Sequence, residues 1–200
     1  TSPLATHLLG RALTGTGLMG LMLREPGFKV PLQFKGDGLA QQVLCTASSD
    51  GAVKGYIVNP NVDLPVRSDG SPDVGGALGI GTITCIRDTG MKEPYVGRID
   101  LVSGEIADDM TAYFFISEQQ QTSVSLGVKL SEDGAVEAAG GLIIQMLPDA
   151  GEEAVQALEN WLPKMPKITE LVSQVMENAG AKSVGTLMKE LIGEAFSGLP

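Results

Sequence analysis

Between Pro94 and Pro148 the chain changes period from two to about 3.6 and back to two, which commits it to strand, helix, strand, turn, strand. In Pro94–Val102, Tyr95, Ile99 and Leu101 fall on one face and Arg98 and Asp100 on the other, the alternation of a half-buried strand. Ser103-Gly104 breaks that strand and offers an N-cap. Glu105, Asp108 and Asp109 then stand where the positive end of a helix dipole favours carboxylates. The helix predicted over Glu105–Gln119 carries Ile106, Met110, Tyr113 and Phe114, widened by Ala112, Phe115 and Ile116, so it is expected to be buried on more than one side. In Ser123–Leu130, Val124, Leu126, Val128 and Leu130 alternate with Ser125, Gly127 and Lys129. Glu132-Asp133-Gly134 turns the chain into a longer strand, Val136–Met146, with a kink expected at Gly140-Gly141. The expected architecture is an α/β (α+β) sandwich in which sheets clamp a central helix.

The segments before this stretch supply more sheet. Leu4–Leu23 is rich in leucine and methionine, but Arg11 and His7 interrupt it, leaving too short an apolar run to span a membrane. No basic region precedes it and no small-residue cleavage site follows, so it does not read as a signal peptide. It contains Gly15-Thr16-Gly17-Leu18-Met19-Gly20, formally the dinucleotide fingerprint, which needs a strand before it. The helical pattern starts well ahead of these glycines, so they are read as points of close backbone approach. Strands are predicted over Lys29–Phe34, Gln41–Ala47 and Ala52–Val58, with a hairpin at Ser48-Ser49-Asp50-Gly51. Asn59–Gly76 reads as a long loop. A second glycine cluster, Gly76–Gly81, leads into the strand Thr82–Arg87 rather than into a helix, which discounts a phosphate cradle. Asp88-Thr89-Gly90 is the following turn.

Past Pro148 the strands stop. Glu152–Leu162 sets Val155, Leu158, Trp161 and Leu162 on one face before Pro163 and Pro166. Ile168, Leu171, Val172, Val175 and Met176 then recur at i, i+3, i+4, i+7 and i+8. After Ala179-Gly180-Ala181, Val184, Leu187, Met188, Leu191 and Ile192 repeat that spacing. The organisation expected is a core over residues 1–150 followed by a helical linker region over 151–200. Such stripes ordinarily cover a sheet. Two short helices in series behind a proline hinge also suit a movable layer, because each is too short to be stable alone in water.

Charge and cysteine usage restrict the chemistry. A net charge of −10 opposes nucleic acid and anionic membrane surfaces. Two cysteines forty residues apart, Cys45 and Cys85, each in a β-branched run, read as buried reduced thiols and point to a cytosol-like compartment. His7 is the one histidine, so Ser-His-Asp, Cys-His and His-based zinc sites all lack partners. The pairs Asp108-Asp109 and Glu152-Glu153 are accounted for by helix dipoles alone. Glu118 has no converging group in sequence. No catalytic residue and no metal ligand is assigned. The alternative kept open is a small-molecule or nucleotide-binding enzyme using the glycine-rich loops.

The run YVGRIDLVSGEIADDMTAYFFISEQQQTSVSLGVKL (Tyr95–Leu130), followed by AAGGLIIQMLPDA (Ala138–Ala150), resembles the redox-regulated heat-shock holdases, the 33-kilodalton chaperonins. GRALTGTGLMGLML (Gly10–Leu23), GYIVNPNVDLP (Gly55–Pro65) and GALGIGTITCIRD (Gly76–Asp88) fall in the same family order. This resemblance implies an ATP-independent chaperone that binds unfolded client proteins in the cytoplasm under oxidative and heat stress. It also implies a homodimer, with no nucleic-acid or membrane partner. The family's zinc switch, a Cys-x-Cys and a Cys-x-x-Cys, follows a stretch like Glu194–Pro200. Zinc is therefore expected in the full-length family and no cofactor in this stretch, which reads as clipped at both ends. The candidate client-binding or masking surface is Leu158, Trp161, Leu162, Met165, Ile168, Leu171, Val172, Val175, Met176, Leu187, Met188, Leu191 and Ile192. Methionine suits that role physically, being adaptable in shape, and four of eight (Met146, Met165, Met176, Met188) fall in the last third.

Overall fold

The computed structural model describes residues 1–87, 94–148 and 150–177, with the side chains of 175–177 left out. Helix α1 (Pro3–Leu21) opens the chain, followed by β1 (Lys29–Gly36), β2 (Gln42–Ser48), β3 (Val53–Ile57) and a short α2 (Val74–Leu78). Then come β4 (Gly81–Arg87), β5 (Tyr95–Asp100), α3 (Ala107–Ser117), β6 (Thr122–Leu130), β7 (Val136–Gln145), α4 (Glu152–Trp161) and α5 (Ile168–Glu177). Strands β1 to β5 form one antiparallel sheet in the order β3-β2-β1-β4-β5, and β6-β7 is a separate hairpin.

The clamped helix expected over Glu105–Gln119 is α3, and α1 shares its layer. On one side α1 packs against β1, β2 and β3, and on the other against β6 and β7. α3 lies between β4 and β5 on one side and β6 on the other. The glycines of α1 make the wedge thin enough. A Cβ on Gly20 would lie 2.7 Å from Ala47 Cβ and 2.9 Å from the Ser48 carbonyl oxygen, and one on Gly15 would lie 2.4 Å from Met110 Sδ. The fingerprint is therefore a packing surface inside a helix. The loop expected over Asn59–Gly76 gives way to α2 at Val74, because a five-residue helix is too short to show a period. Its first amides are already occupied: Gly76 N–H donates to Asp73 Oδ1 at 3.0 Å and Gly75 N–H to Glu105 Oε1 at 3.0 Å.

Cross-strand register lines up Gly55, Cys45, Leu32, Cys85 and Gly97 as one row across all five strands. The two cysteines thus sit two strands apart, about 10 Å, beyond the ~7 Å that a disulfide bridges. Both thiols are fully buried, and burial pushes Cys45 up to about 12 and raises Cys85. Neither is expected to react with a disulfide reagent such as DTNB at pH 8 in the folded chain, and both after unfolding in guanidinium. Rapid stoichiometric labelling of the folded chain would contradict this packing.

Candidate functional site

The hairpin β6-β7 presents two different faces. Val124, Leu126 and Val128 point into the middle layer as the alternation predicts: Val124 and Val128 are buried, and Leu126 packs on the core. On the opposite face register pairs Ser123 with Ile144, Ser125 with Leu142, Gly127 with Gly140 and Lys129 with Ala138. Helix α5 lies on that outer face. Glycine sets how closely it comes: a Cβ on Gly127 would fall 2.3 Å from Ile168 Cγ2, and one on Gly140 2.2 Å from Val172 Cγ2. Register runs unbroken through Gly140-Gly141, so the kink expected there is absent, and the irregularity lies at Lys129/Leu130 by the turn. The two glycines instead admit helices on opposite faces, for a Cβ on Gly141 would meet Leu126 and Leu18 of α1.

Of the residues assigned to the masking surface, Leu158 is buried, at 6% exposure. Trp161, Leu162, Met165, Ile168, Leu171 and Val172 are half-buried. Val175 and Met176 belong to α5, but only their backbone is described; Leu187, Met188, Leu191 and Ile192, with the third predicted helix, lie outside the described residues. Between α4 and α5 runs a single 3-10 turn, Leu162–Lys164, which contains Pro163 and is followed by Pro166. Where Met165–Thr169 crosses the core there is a cavity of about 640 Å³, with His7, Arg11 and the 69–72 loop on its far wall. Apart from Leu158, the described side chains assigned to this layer are therefore neither core nor free surface.

Three polar clusters tie the sandwich itself together. Glu105 ties the elements together: Arg11 Nη1 donates to its Oε2 at 2.7 Å, while Arg67 bridges its Oε1 to Asp73. Fully buried Asp109 accepts from the amides of Val102 (2.8 Å), Ser103 (3.1 Å) and Gly104 (3.3 Å) on Oδ1 and from Ile106 (3.1 Å) on Oδ2. The dipole alone does not account for this residue. Ser103 is not the N-cap either: α3 starts at Ala107, behind Ile106 at φ 59°. At the other end of α3, Arg87 pairs with Glu118 at 2.6 Å beside buried Tyr113 and Cys85, a convergence that spacing in sequence concealed. Burial raises Glu118 despite Arg87. Burial likewise raises the Cys85 thiol and the Tyr113 hydroxyl beside this pair. His7 is held below its usual range by burial and Arg11.

The zinc that the family resemblance implies does not fit these residues. Cys45 and Cys85 are separated in register by Leu32, and among the described residues no group of three or more His, Cys, Asp and Glu side chains could hold a metal ion. No helix among the described residues is long and apolar enough to cross a membrane.

A middle layer of two helices between an antiparallel sheet and a hairpin, with a further helix on the hairpin's outer face, defines a mixed α/β sandwich of one particular type. The family model described as Hsp33 protein matches residues 1–197, and the chain belongs to that family. The 33 kDa chaperonin of Ruminiclostridium cellulolyticum is 46% identical over 173 residues, covering 86% of this chain and 59% of the relative. That of Clostridium tetani is 46% identical over 176 residues, covering 88% and 60%. The crystal structure of the 33 kDa chaperonin (heat shock protein 33 homolog) from Thermotoga maritima superposes with a TM-score of 0.84 at 35% identity, covering 98% of this chain and 63% of that one. The chain thus spans about three fifths of the length of the relatives it matches.

Proposed function

We propose that this chain is the client-binding part of an ATP-independent holdase, which captures unfolding proteins on apolar surface and performs no catalysis. The observation that carries this reading is the half-buried helical layer seated on the β6-β7 hairpin through Gly127 and Gly140. A buried leucine or isoleucine contributes on the order of 2 kcal/mol, so a helix held by a few half-buried side chains is released at modest cost. Residues 1–150 act as the scaffold and 151–200 as the movable layer. The partners are unfolded polypeptides in the cytoplasm, and the assembly is a homodimer. In longer family members redox control and zinc would act on this same layer. The nucleotide-binding alternative loses its support, since the α1 glycines are packed inside a helix.

The test is aggregation of a thermally unfolded client, followed by light scattering with and without nucleotide. Suppression at near-stoichiometric chain without nucleotide is expected, with no nucleotide binding by calorimetry and a dimer by static light scattering at micromolar concentration. Nucleotide binding without suppression would reverse the reading.

A further inference from the structure

We infer that the cleft between the glutamine run Gln119–Gln121 and α4 is a docking groove for an extended, lysine- or arginine-bearing segment of an unfolded polypeptide. It is a second foothold, apart from the face under α5, and it rests on the holdase reading. The cleft has a volume of about 610 Å³. Helix α4 turns Glu152, Val155, Gln156 and Glu159 toward it, the i, i+3, i+4, i+7 face, while Leu158 is buried elsewhere. Met146 and Leu147, the latter 76% exposed, add apolar surface at the end of β7.

Two features select the occupant. Gln120 is committed, donating to the Met146 carbonyl at 2.7 Å, but the amides of Gln119, Gln121 and Gln156 have no hydrogen-bond partner among the described residues. A primary amide both donates and accepts, so it can pair with a peptide group whatever side chain that group carries. The charged groups on the lining are Glu152 and Glu159, and neither is ion-paired among the described residues. Seven residues apart on a helix, they stand about 10 Å from each other, a span that about three residues of extended chain cover. The net charge of −10 strengthens attraction of a cationic segment from a distance. The groove therefore reads backbone through amides, apolar side chains through Leu147 and Val155, and positive charge through two carboxylates.

The experiment uses two fluorescein-labelled unstructured peptides, identical in leucine and valine and differing only in carrying lysines or glutamates. At low salt the wild-type chain is expected to bind the lysine peptide at least tenfold more tightly by anisotropy. Glu152→Lys/Glu159→Lys should invert that preference. Glu25→Lys/Glu132→Lys, which changes net charge equally at exposed sites elsewhere, should shift the ratio less than twofold. Gln121→Ala/Gln156→Ala should weaken both peptides severalfold at an unchanged ratio. Circular dichroism confirms that each variant is folded. A ratio unmoved by the α4 reversal, or moved as much by the control reversal, overturns the groove. If the wild type fails in parallel to suppress client aggregation, the holdase reading fails instead.

Discussion

Replacing Asp109 by alanine is expected to lower the midpoint of thermal unfolding by about 10 °C. The carboxylate collects four backbone amides from the segment that links β5 to α3. Hydrogen bonds to a charged group are each worth about 1.5–3 kcal/mol, and a buried donor left unpaired costs about 1–3 kcal/mol. Water can reach the amides of exposed Val102 and Ser103 after the truncation, so the net loss is on the order of 3–5 kcal/mol rather than the full sum. For a chain of this length each kcal/mol moves the midpoint by roughly 2–4 °C. The same carboxylate holds Ile106, a buried β-branched residue, at φ 59°, where such a residue ordinarily costs on the order of 1–3 kcal/mol. Asp109→Asn keeps one acceptor and turns an amide toward a backbone donor, so about half the effect is expected. A midpoint within 2 °C of wild type for Asp109→Ala would show that the loop is held by something else.

Gly127→Ala/Gly140→Ala is expected to raise the fluorescence of a bound hydrophobic dye severalfold and to improve suppression of client aggregation by a similar factor. The core should stay folded. The added carbons would lie 2.3 Å from Ile168 Cγ2 and 2.2 Å from Val172 Cγ2. Those methyls sit one bond from the Cβ of stiff, β-branched side chains, so α5 itself must move by more than an ångström. Gly20→Ala is the contrasting variant. There the new carbon meets the Ser48 backbone oxygen at 2.9 Å and Ala47 at 2.7 Å inside the sandwich, and overpacking of that kind costs about 1–3 kcal/mol of global stability. Cooperative loss of the whole fold in the Gly127/Gly140 variant, like that of a core lesion, would make α5 ordinary core. Dye binding that rises without any gain in suppression would separate the exposed face from client capture.

The period-2 and period-3.6 patterns made most of the elements legible, because each element buries one face and its residue types follow that face. β6 is the clearest instance, with its alternation predicting which side chains enter the middle layer. Where one residue touches two layers the pattern misled. Gly140-Gly141 reads as a kink in sequence, yet it marks two helices approaching opposite faces of an unbroken strand. Helix α2 is too short to carry a period. The left-handed Ile106 was hidden, since an isoleucine gives no signal for φ above zero. Arg87 and Glu118 lie 31 positions apart and meet only because β4 and the end of α3 are brought side by side. The helical stripes of α4 and α5 were readable as amphipathic. Which face would receive α5 was not, since that depends on the partner, and Gly127 and Gly140 carry no side chain to signal it.

The wedge formed by α1 has a consequence for synthesis on the ribosome. Its lower face can settle on β1–β3 as soon as those strands emerge, but its upper face waits for the β6-β7 hairpin. Leu21 and Gln145 bound that delay, about 125 residues of chain. At 5–20 residues per second the interval is roughly 6–25 s. Throughout it Leu18, Gly15 and Gly10 lack the Leu126, Gly141 and Val128 surface against which they finally pack. For those seconds the nascent protein displays an uncovered apolar helix, and it is the kind of chain that a holdase is built to catch.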